Sequence, residues 1–243
     1  MKDYLLDLID HTLTVGNMDV IKITGSQTET KINAVIENNT VVLEGTFNQP
    51  ITEFEGVFGM PNLGKLKTIL GFDDYDEKAR IFVNRQNRNG ASVPESIQFE
   101  TNNSDFINVY RLMSESIVTD KVRPLNFKGA TWHITFQPSV ANILRLKKQA
   151  QANSEQEHFT TKVDSGNLKI HFGDVATHSG NFIFENNVTG NLTHAWQWPV
   201  QQMVSILSLS GDKTMKFSDQ GVAEITVDSG LGTYRYLIPA SSK

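Results

Sequence analysis

The amino-acid sequence repeats one succession of apolar patterns at a nearly constant spacing. In each half, a helical pattern precedes three strand-like runs, and a second helix with three further strands follows. Matching apolar triplets lie 138 and 137 residues apart, and the two halves end on similar Tyr-Arg pairs. This order predicts a duplicated α+β domain, and two unrelated α+β domains are the alternative. The triplets are Leu5, Leu6 and Leu8 with Ile143, Leu144 and Leu146, and Leu66, Ile69 and Leu70 with Met203, Ile206 and Leu207.

The periodicity also gives approximate element boundaries. Residues 114–126 are polar, contain one proline and lack periodicity, so we expect a connection between domains there. The predicted domains are residues 1–115 and 127–243, joined by a connector at 116–126. Helices are predicted at 3–13, 62–70, 139–152 and 200–208. Strands are predicted at 19–24, 29–36, 41–47, 54–58, 79–84, 97–101, 106–113, 130–136, 158–163, 167–172, 181–185, 214–217, 223–227 and 233–237.

Composition excludes several classes of protein. The 243 residues contain no cysteine, which excludes a disulfide scaffold, a thiol nucleophile and a cysteine-ligated metal. The net charge of −5 excludes a uniformly basic nucleic-acid binder, although a local basic surface remains compatible with it. No apolar run reaches the roughly 18 residues of a membrane span. The acidic N-terminal sequence does not resemble a signal peptide, so we expect a soluble cytoplasmic protein without membrane contact.

One short motif matches a nucleotide-binding pattern. Residues Gly59 to Lys65 fit G-x-x-x-x-G-K between a strand-like run and a helix. Leu66 follows, where a phosphate loop needs Ser or Thr to hold magnesium. The simpler interpretation is a helix start with a buried apolar face. The six histidines are scattered, so we expect no metal, no cofactor and no enzyme.

Basic residues gather on two predicted helices of this acidic chain. The helix at 62–70 carries Lys65 and Lys67, and the helix at 139–152 carries Arg145, Lys147 and Lys148, each without an acid. Such faces suit sequence-independent contact with a phosphate backbone. An ordinary solvated helix face is the alternative.

At this point the sequence resembles a known family. The strand at 132–136, the basic helix, the hairpin sequence HFTTKVDSGNLKIHF and the strand SGNFIFEN follow the pattern of the DNA sliding clamps. Residues 198–240 resemble the clamp C-terminus, with a tail at 236–239 of the Tyr-x-x-Pro type. The resemblance is strongest to the trimeric clamps of tailed phages, which are related to the eukaryotic and archaeal clamp.

The resemblance implies an α+β fold of duplicated clamp domains, with antiparallel sheets outside and helices lining a ring. It implies a homotrimer that encircles double-stranded DNA, is placed there by a clamp loader and tethers a DNA polymerase, in a host cytoplasm if a phage encodes it. Counted over residues 2–13, 62–70, 139–152 and 200–208, the four helical stretches carry charges of −2, +2, +3 and zero. The first helix departs from the family because it carries Asp3, Asp7 and Asp10 where clamps usually have a basic face.

The resemblance also implies two protein-binding sites. A subunit interface would pair the strand at 106–112 with residues 181–187 of a neighbouring copy, and a pocket beside the connector would bind short apolar peptides of polymerase and loader. The residues implied for the subunit interface are Phe106, Val109, Tyr110, Arg111, Phe182, Phe184 and Glu185. The residues implied for the peptide pocket are Val41, Val122, Pro124, Leu125, Tyr236, Ile238 and Pro239.

Two other functions fit parts of the sequence. A β-rich virion or other structural protein would leave the lysines solvated and would need no DNA. A nucleotide-binding enzyme would use the motif at 59–65.

Overall fold

The computed structural model divides the chain into two compact units. It describes residues 1–16, 18–36, 40–88, 90–123, 127, 129–174, 176 and 178–241. Unit 1 comprises Met1–Glu37, Leu43–Leu125 and Ser229–Tyr234. Unit 2 comprises Asn38–Val42, Asn126–Asp228 and Arg235–Lys243. Each unit therefore includes a short segment from the other half of the chain.

Unit 1 contains two antiparallel groups of strands. Strands β4, β1, β2 and β3 lie side by side in that order, with the short β8 beyond β4. Strands β5, β6 and β7 form a separate sheet. The elements are α1 (Lys2–Asp10), α2 (Leu13–Gly16), β1 (Val20–Gly25), β2 (Thr30–Val35), β3 (Val42–Phe47), a 3₁₀ turn (Thr52–Phe54), β4 (Gly56–Pro61), α3 (Leu63–Leu70), β5 (Arg80–Arg88), β6 (Ala91–Glu100), β7 (Ile107–Arg111), β8 (Met113–Ser114) and α4 (Glu115–Lys121).

Unit 2 contains a comparable pair of strand groups. Strands β13, β10, β11 and β12 form one sheet in that order. Strands β9, β14, β15 and β16 lie side by side in that order. The elements are β9 (Ile134–Phe136), α5 (Val140–Ala152), β10 (His158–Asp164), β11 (Asn167–Gly173), β12 (Ser179–Glu185), β13 (Gln197–Pro199), α6 (Val200–Ser208), β14 (Asp212–Ser218), β15 (Val222–Asp228) and β16 (Gly232–Pro239).

The strand order confirms the repeat that the sequence predicts. The order β4-β1-β2-β3 of unit 1 matches β13-β10-β11-β12 of unit 2. Helix α1, followed by the short α2, precedes β1 as α5 precedes β10, and α3 follows β4 as α6 follows β13. Of the triplet residues that recur at offset 138, Leu5 and Leu8 of unit 1 and Ile143 and Leu146 of unit 2 are buried at equivalent points, whereas Leu6 and Leu144 are both exposed. Burial of these apolar side chains fixes both helices against their sheets.

The segment predicted as an irregular connection contains helix α4. Val118 of this helix is fully buried and packs on Gly59 of β4. A Cβ at Gly59 would lie 2.7 Å from Val118 Cγ2, so the close approach depends on the missing side chain. Packing of one apolar residue thus stabilises a helix that the local sequence pattern does not predict.

Within the described part of the chain, every helix is too short or too polar to reach across a lipid bilayer.

Candidate functional site

Helix α3 presents its two lysines to solvent. Its N-cap residue Asn62 has a left-handed backbone, and its side-chain oxygen accepts a hydrogen bond from the Lys65 amide at 3.2 Å. The apolar face of the helix is buried, with Leu66 fully enclosed, while Lys65 and Lys67 are exposed on the opposite side. Neither ammonium group forms an ion pair with any residue that the structure describes. Both are available to a phosphate.

The structure does not support a nucleotide loop before α3. Gly59 lies inside β4, paired with Lys22 of β1 on one side and Met113 of β8 on the other. Its backbone is part of a sheet, whereas a phosphate loop needs free amide groups that wrap around an anion. The glycine makes room for Val118 instead.

The three predicted cations of α5 lie in three different surroundings. Lys148 is exposed and Lys147 is half-buried. Arg145 Nη1 donates to the Ile183 carbonyl of β12 at 3.3 Å. The sequence predicted one basic face; Arg145 and Lys148 are both exposed, but the Arg145 guanidinium is hydrogen-bonded to β12 and Lys147 is half-buried.

A further cation, Lys213 of β14, was missed from the sequence. Burial lowers the pKa of Lys213 below its ordinary value; Asp212 opposes this, and the Lys147 ammonium lowers the pKa further. The two lysines belong to different elements of unit 2, so no local pattern reveals their proximity. Two neighbouring ammonium groups favour the approach of an anion.

Helix α1 contributes no basic surface. Asp3 and Asp10 are exposed, whereas Asp7 is turned inward. Asp7 Oδ2 accepts hydrogen bonds from Tyr234 Oη at 2.6 Å and from Ser229 Oγ at 3.0 Å. The three aspartates of the first helix therefore have different roles: Asp7 is structural, and Asp3 and Asp10 are solvated.

Two strands that the sequence predicted at a subunit interface end their sheets. Strand β7 pairs only with β6, and β12 pairs only with β11, in the part of the chain that the structure describes. Val109 is 43% exposed and Phe106 is 38% exposed, and Ile107, which the prediction omitted, is 48% exposed. An open sheet edge flanked by apolar side chains is suited to pairing with another strand.

The remaining predicted interface residues are already engaged within the chain. Tyr110 is buried, and its hydroxyl donates to the Pro61 carbonyl. Burial raises the pKa of the Tyr110 phenol far above its ordinary value, and the Asp19 carboxylate adds to the effect. Arg111 pairs with Glu95 at 2.6 Å. On β12, Phe182 and Phe184 are buried and Glu185 is half-buried.

Comparison with known proteins rests on structure alone. No protein-family model matches the sequence. No curated protein matches it either. PCNA from Thermococcus kodakaraensis is similar with a TM-score of 0.65 at 10% identity, over 99% of this chain and 95% of that one. A. fulgidus PCNA, solved with the C-terminal region of FEN-1, is similar with a TM-score of 0.69 at 10% identity, over 98% and 96%.

The chain has the sliding-clamp fold. The match extends over both units, so the predicted class of duplicated clamp domains is confirmed. The particular resemblance to phage clamps stays a prediction.

In this clamp fold, most of the predicted peptide-pocket residues are buried. Pro124 and Leu125 lie outside the described residues. Within unit 2, Val41, Tyr236 and Ile238 are inaccessible to solvent and Pro239 is exposed; in unit 1, Val122 at the end of α4 is buried. Their assignment to a pocket stays a prediction. Among the described residues, no group of three or more His, Asp or Glu side chains is placed to bind a metal ion.

Proposed function

We propose that the chain is a sliding clamp. Three copies close a ring around duplex DNA, and the ring tethers a replicative polymerase as a non-enzymatic scaffold, in a host cytoplasm if a phage encodes it. The observation that carries the proposal is the clamp fold over at least 98% of the chain. Solved PCNA with the C-terminal region of FEN-1 supports client-peptide binding by this fold.

The sheet edges support closure of a ring. In unit 1, β3 is flanked by the first residues of β16, where the Asn48 amide donates to the Leu231 carbonyl at 2.9 Å. In the repeat, β12 is the counterpart of β3, and β7 is the counterpart of β16. Strands β12 and β7 are each an end strand of their own sheet. Pairing β12 with β7 of the next copy repeats the junction already present in unit 1, and three two-repeat copies then make six equivalent junctions.

Exposed lysines support contact with DNA. Lys65 and Lys67 on α3 and Lys148 on α5 lie on helices whose described residues carry +2 and +3 with no acid. Three copies would present nine such lysines to the phosphate backbone. Contacts of this kind do not read sequence, and they are weakened by salt because counterions are released on binding.

The connector and the end of the chain are the proposed binding site for partners. Val41, Val122, Pro124, Leu125, Tyr236, Ile238 and Pro239 would receive short apolar segments of the polymerase and the clamp loader. The exposed Pro239 and the surface helix α4 support access to this part of the chain.

Assembly is tested first, by native mass spectrometry and light scattering over a dilution series. We expect a species of about three times the chain mass of 27.2 kDa. A monomer at every concentration contradicts the ring and returns the protein to the structural, β-rich alternative.

DNA encirclement is tested next with a linear duplex whose ends are blocked after incubation. A threaded ring stays on the blocked duplex in high salt and leaves when the duplex is cut. Lys65→Glu, Lys67→Glu and Lys148→Glu together should weaken retention and lower the salt dependence of binding. A matched triple variant at Lys31, Lys121 and Lys162, which are exposed on β2, α4 and β10, should behave like the unmodified protein. An equal decrease in both variants would reduce the effect to net charge.

A further inference from the structure

Arg145 is fixed against the edge of the four-stranded sheet in unit 2. Its guanidinium donates to the Ile183 carbonyl at 3.3 Å and lies 5.2 Å from the centre of the Phe182 ring. The second contact is a cation–π interaction. One turn further along α5, Gln149 closely approaches Gly180 of β12, where a Cβ would lie 2.5 Å from Gln149 Oε1. Helix α5 therefore supports β12 at two points along its length.

The carbonyl that Arg145 binds lies at an irregularity of β12. Lys169 and Leu168 are consecutive in β11, but they pair with Ile183 and Glu185, so Phe184 is an extra residue in the edge strand. An extra residue interrupts the ladder and leaves backbone groups without strand partners. The guanidinium supplies a hydrogen bond at the residue just before the interruption, and this favours one shape of the bulged edge.

The equivalent position in unit 1 already serves a strand junction. At the offset of 138 residues, Arg145 corresponds to Asp7. Asp7 accepts a hydrogen bond from Tyr234 of β16, the strand next to β3. Tyr110 is the counterpart of Tyr234 on β7, but its hydroxyl donates to Pro61 of its own unit. A carboxylate at position 145 would therefore find no free tyrosine hydroxyl on an incoming β7.

We propose that Arg145 is a positioning residue of the subunit junction and not a DNA contact. Its guanidinium holds the bulged edge of β12 in the shape that accepts β7 of a second copy. The inference rests on the proposed ring. It removes Arg145 from the predicted DNA-facing residues and keeps Lys148 among them.

The test compares Arg145→Met with Lys148→Met, two changes on one helix that each remove one charge and keep an unbranched stem. Three quantities are measured for each: amide hydrogen exchange of residues 182–185, the midpoint concentration of subunit dissociation, and the salt dependence of duplex binding above that midpoint. For Arg145→Met we expect exchange and midpoint to rise about tenfold, the effect of removing one charge-assisted hydrogen bond, with an unchanged salt dependence. For Lys148→Met we expect unchanged exchange and an unchanged midpoint. The slope of log affinity against log salt should be reduced by about 0.9 for each phosphate that is no longer neutralised.

Arg145→Lys separates charge from geometry. It keeps the positive charge but removes the planar fork that stacks on Phe182, so its midpoint should fall between those of the unmodified protein and Arg145→Met. A lower salt dependence in Arg145→Met with an unchanged midpoint would make Arg145 a DNA contact and overturn the proposal. Unchanged exchange and midpoint would also overturn it while leaving the ring intact. A monomeric unmodified protein would overturn the ring and the junction together.

Discussion

The first helices of the two units, α1 and α5, lie beside the same arrangement of four strands and carry opposite charge. Helix α1 has three aspartates and one lysine, whereas α5 has one arginine, two lysines and no acid. Their buried apolar positions correspond, with Leu5 matching Ile143 and Leu8 matching Leu146. The comparison shows that the core positions maintain the repeat, while the polar positions are free to take separate tasks in each unit.

A second difference concerns what pairs with the strand before α3 or α6. Gly59 of β4 corresponds to Gln197 of β13 at the same offset of 138. Gly59 pairs with Met113 of β8, and the chain continues from there into α4. Gln197 instead forms a bridge with Ser241. Equivalent strands are thus flanked by a helix-bearing connector in unit 1 and by the end of the described chain in unit 2.

The largest effect is expected from Asp7→Ala, which breaks the polar contacts of Asp7 with Ser229 and Tyr234 in unit 1. The change leaves the hydroxyls of Ser229 and Tyr234 without their shared acceptor. We expect the unfolding free energy to fall by about 3 kcal/mol, measured by urea denaturation, because the buried Tyr234 hydroxyl and the half-buried Ser229 hydroxyl lose a carboxylate acceptor. Asp10→Ala on the exposed side of the same helix is the control and should change stability by less than about 0.5 kcal/mol. Equal effects of the two changes would contradict a structural role for Asp7.

A smaller effect is expected from Gly59→Ala, which tests the connector of unit 1. The new methyl group would meet Val118, whose Cγ2 lies 2.7 Å from the Cβ position. We expect stability to fall by about 1–3 kcal/mol from overpacking, together with faster amide exchange in α4. Gly64→Ala in α3 meets only the Asn62 side chain at 3.9 Å and should be neutral or stabilising by up to about 1 kcal/mol. A fully stable Gly59→Ala variant with unchanged exchange in α4 would show that Val118 does not hold the helix.

The sequence was sufficient where an element has its own apolar face. The helix predicted at 200–208 agrees with α6, and the one predicted at 139–152 begins one residue before α5. It was insufficient where long-range contacts stabilise the element. Strands β5 and β6 extend well beyond the predicted 79–84 and 97–101, through a polar hairpin whose Arg85 donates to the carbonyls of Glu53 and Glu55.

The site shows the same limit. Composition and spacing were enough to place five cations on two helices, but they did not show which flank of α5 lies beside β12. The directions of Arg145 and Lys147 depend on strands that come later in the chain, and a helical pattern carries no information about them. The proximity of Lys147 to Lys213 joins residues 66 positions apart.

The smallest effect is expected from acid, at the connection between β14 and β15 in unit 2. Asp219, between β14 and β15, accepts hydrogen bonds from the amides of Thr193 and His194 at 3.0 and 2.9 Å. Burial alone raises the pKa of Asp219, but the hydrogen bonds from Thr193 and His194 outweigh it and hold the pKa below the usual range. In unit 1, the sequence between β5 and β6, the counterparts of β14 and β15, contains no carboxylate.

Because the folded pKa of Asp219 is lowered, the unfolded chain binds the proton more readily. The stabilisation is complete above about pH 5, where an unfolded aspartate is almost fully ionised, and it is lost progressively as pH falls towards the folded pKa. We expect amide exchange of residues 191–196 to rise between about pH 5 and pH 3 after correction for intrinsic rates. Asp219→Asn should remove this pH dependence, and Thr193→Val should reduce it. A pH dependence that persists in Asp219→Asn would assign the effect to another group.

The membership of residues 229–234 in unit 1 has a consequence for biosynthesis. The N-terminal half is translated more than a hundred residues before Tyr234, and until Tyr234 is made Asp7 lacks its hydroxyl partners and β3 lacks the strand beside it. A nascent unit 1 therefore carries an open sheet edge throughout synthesis of unit 2, which is the interval in which a ribosome-bound chaperone would have most to protect.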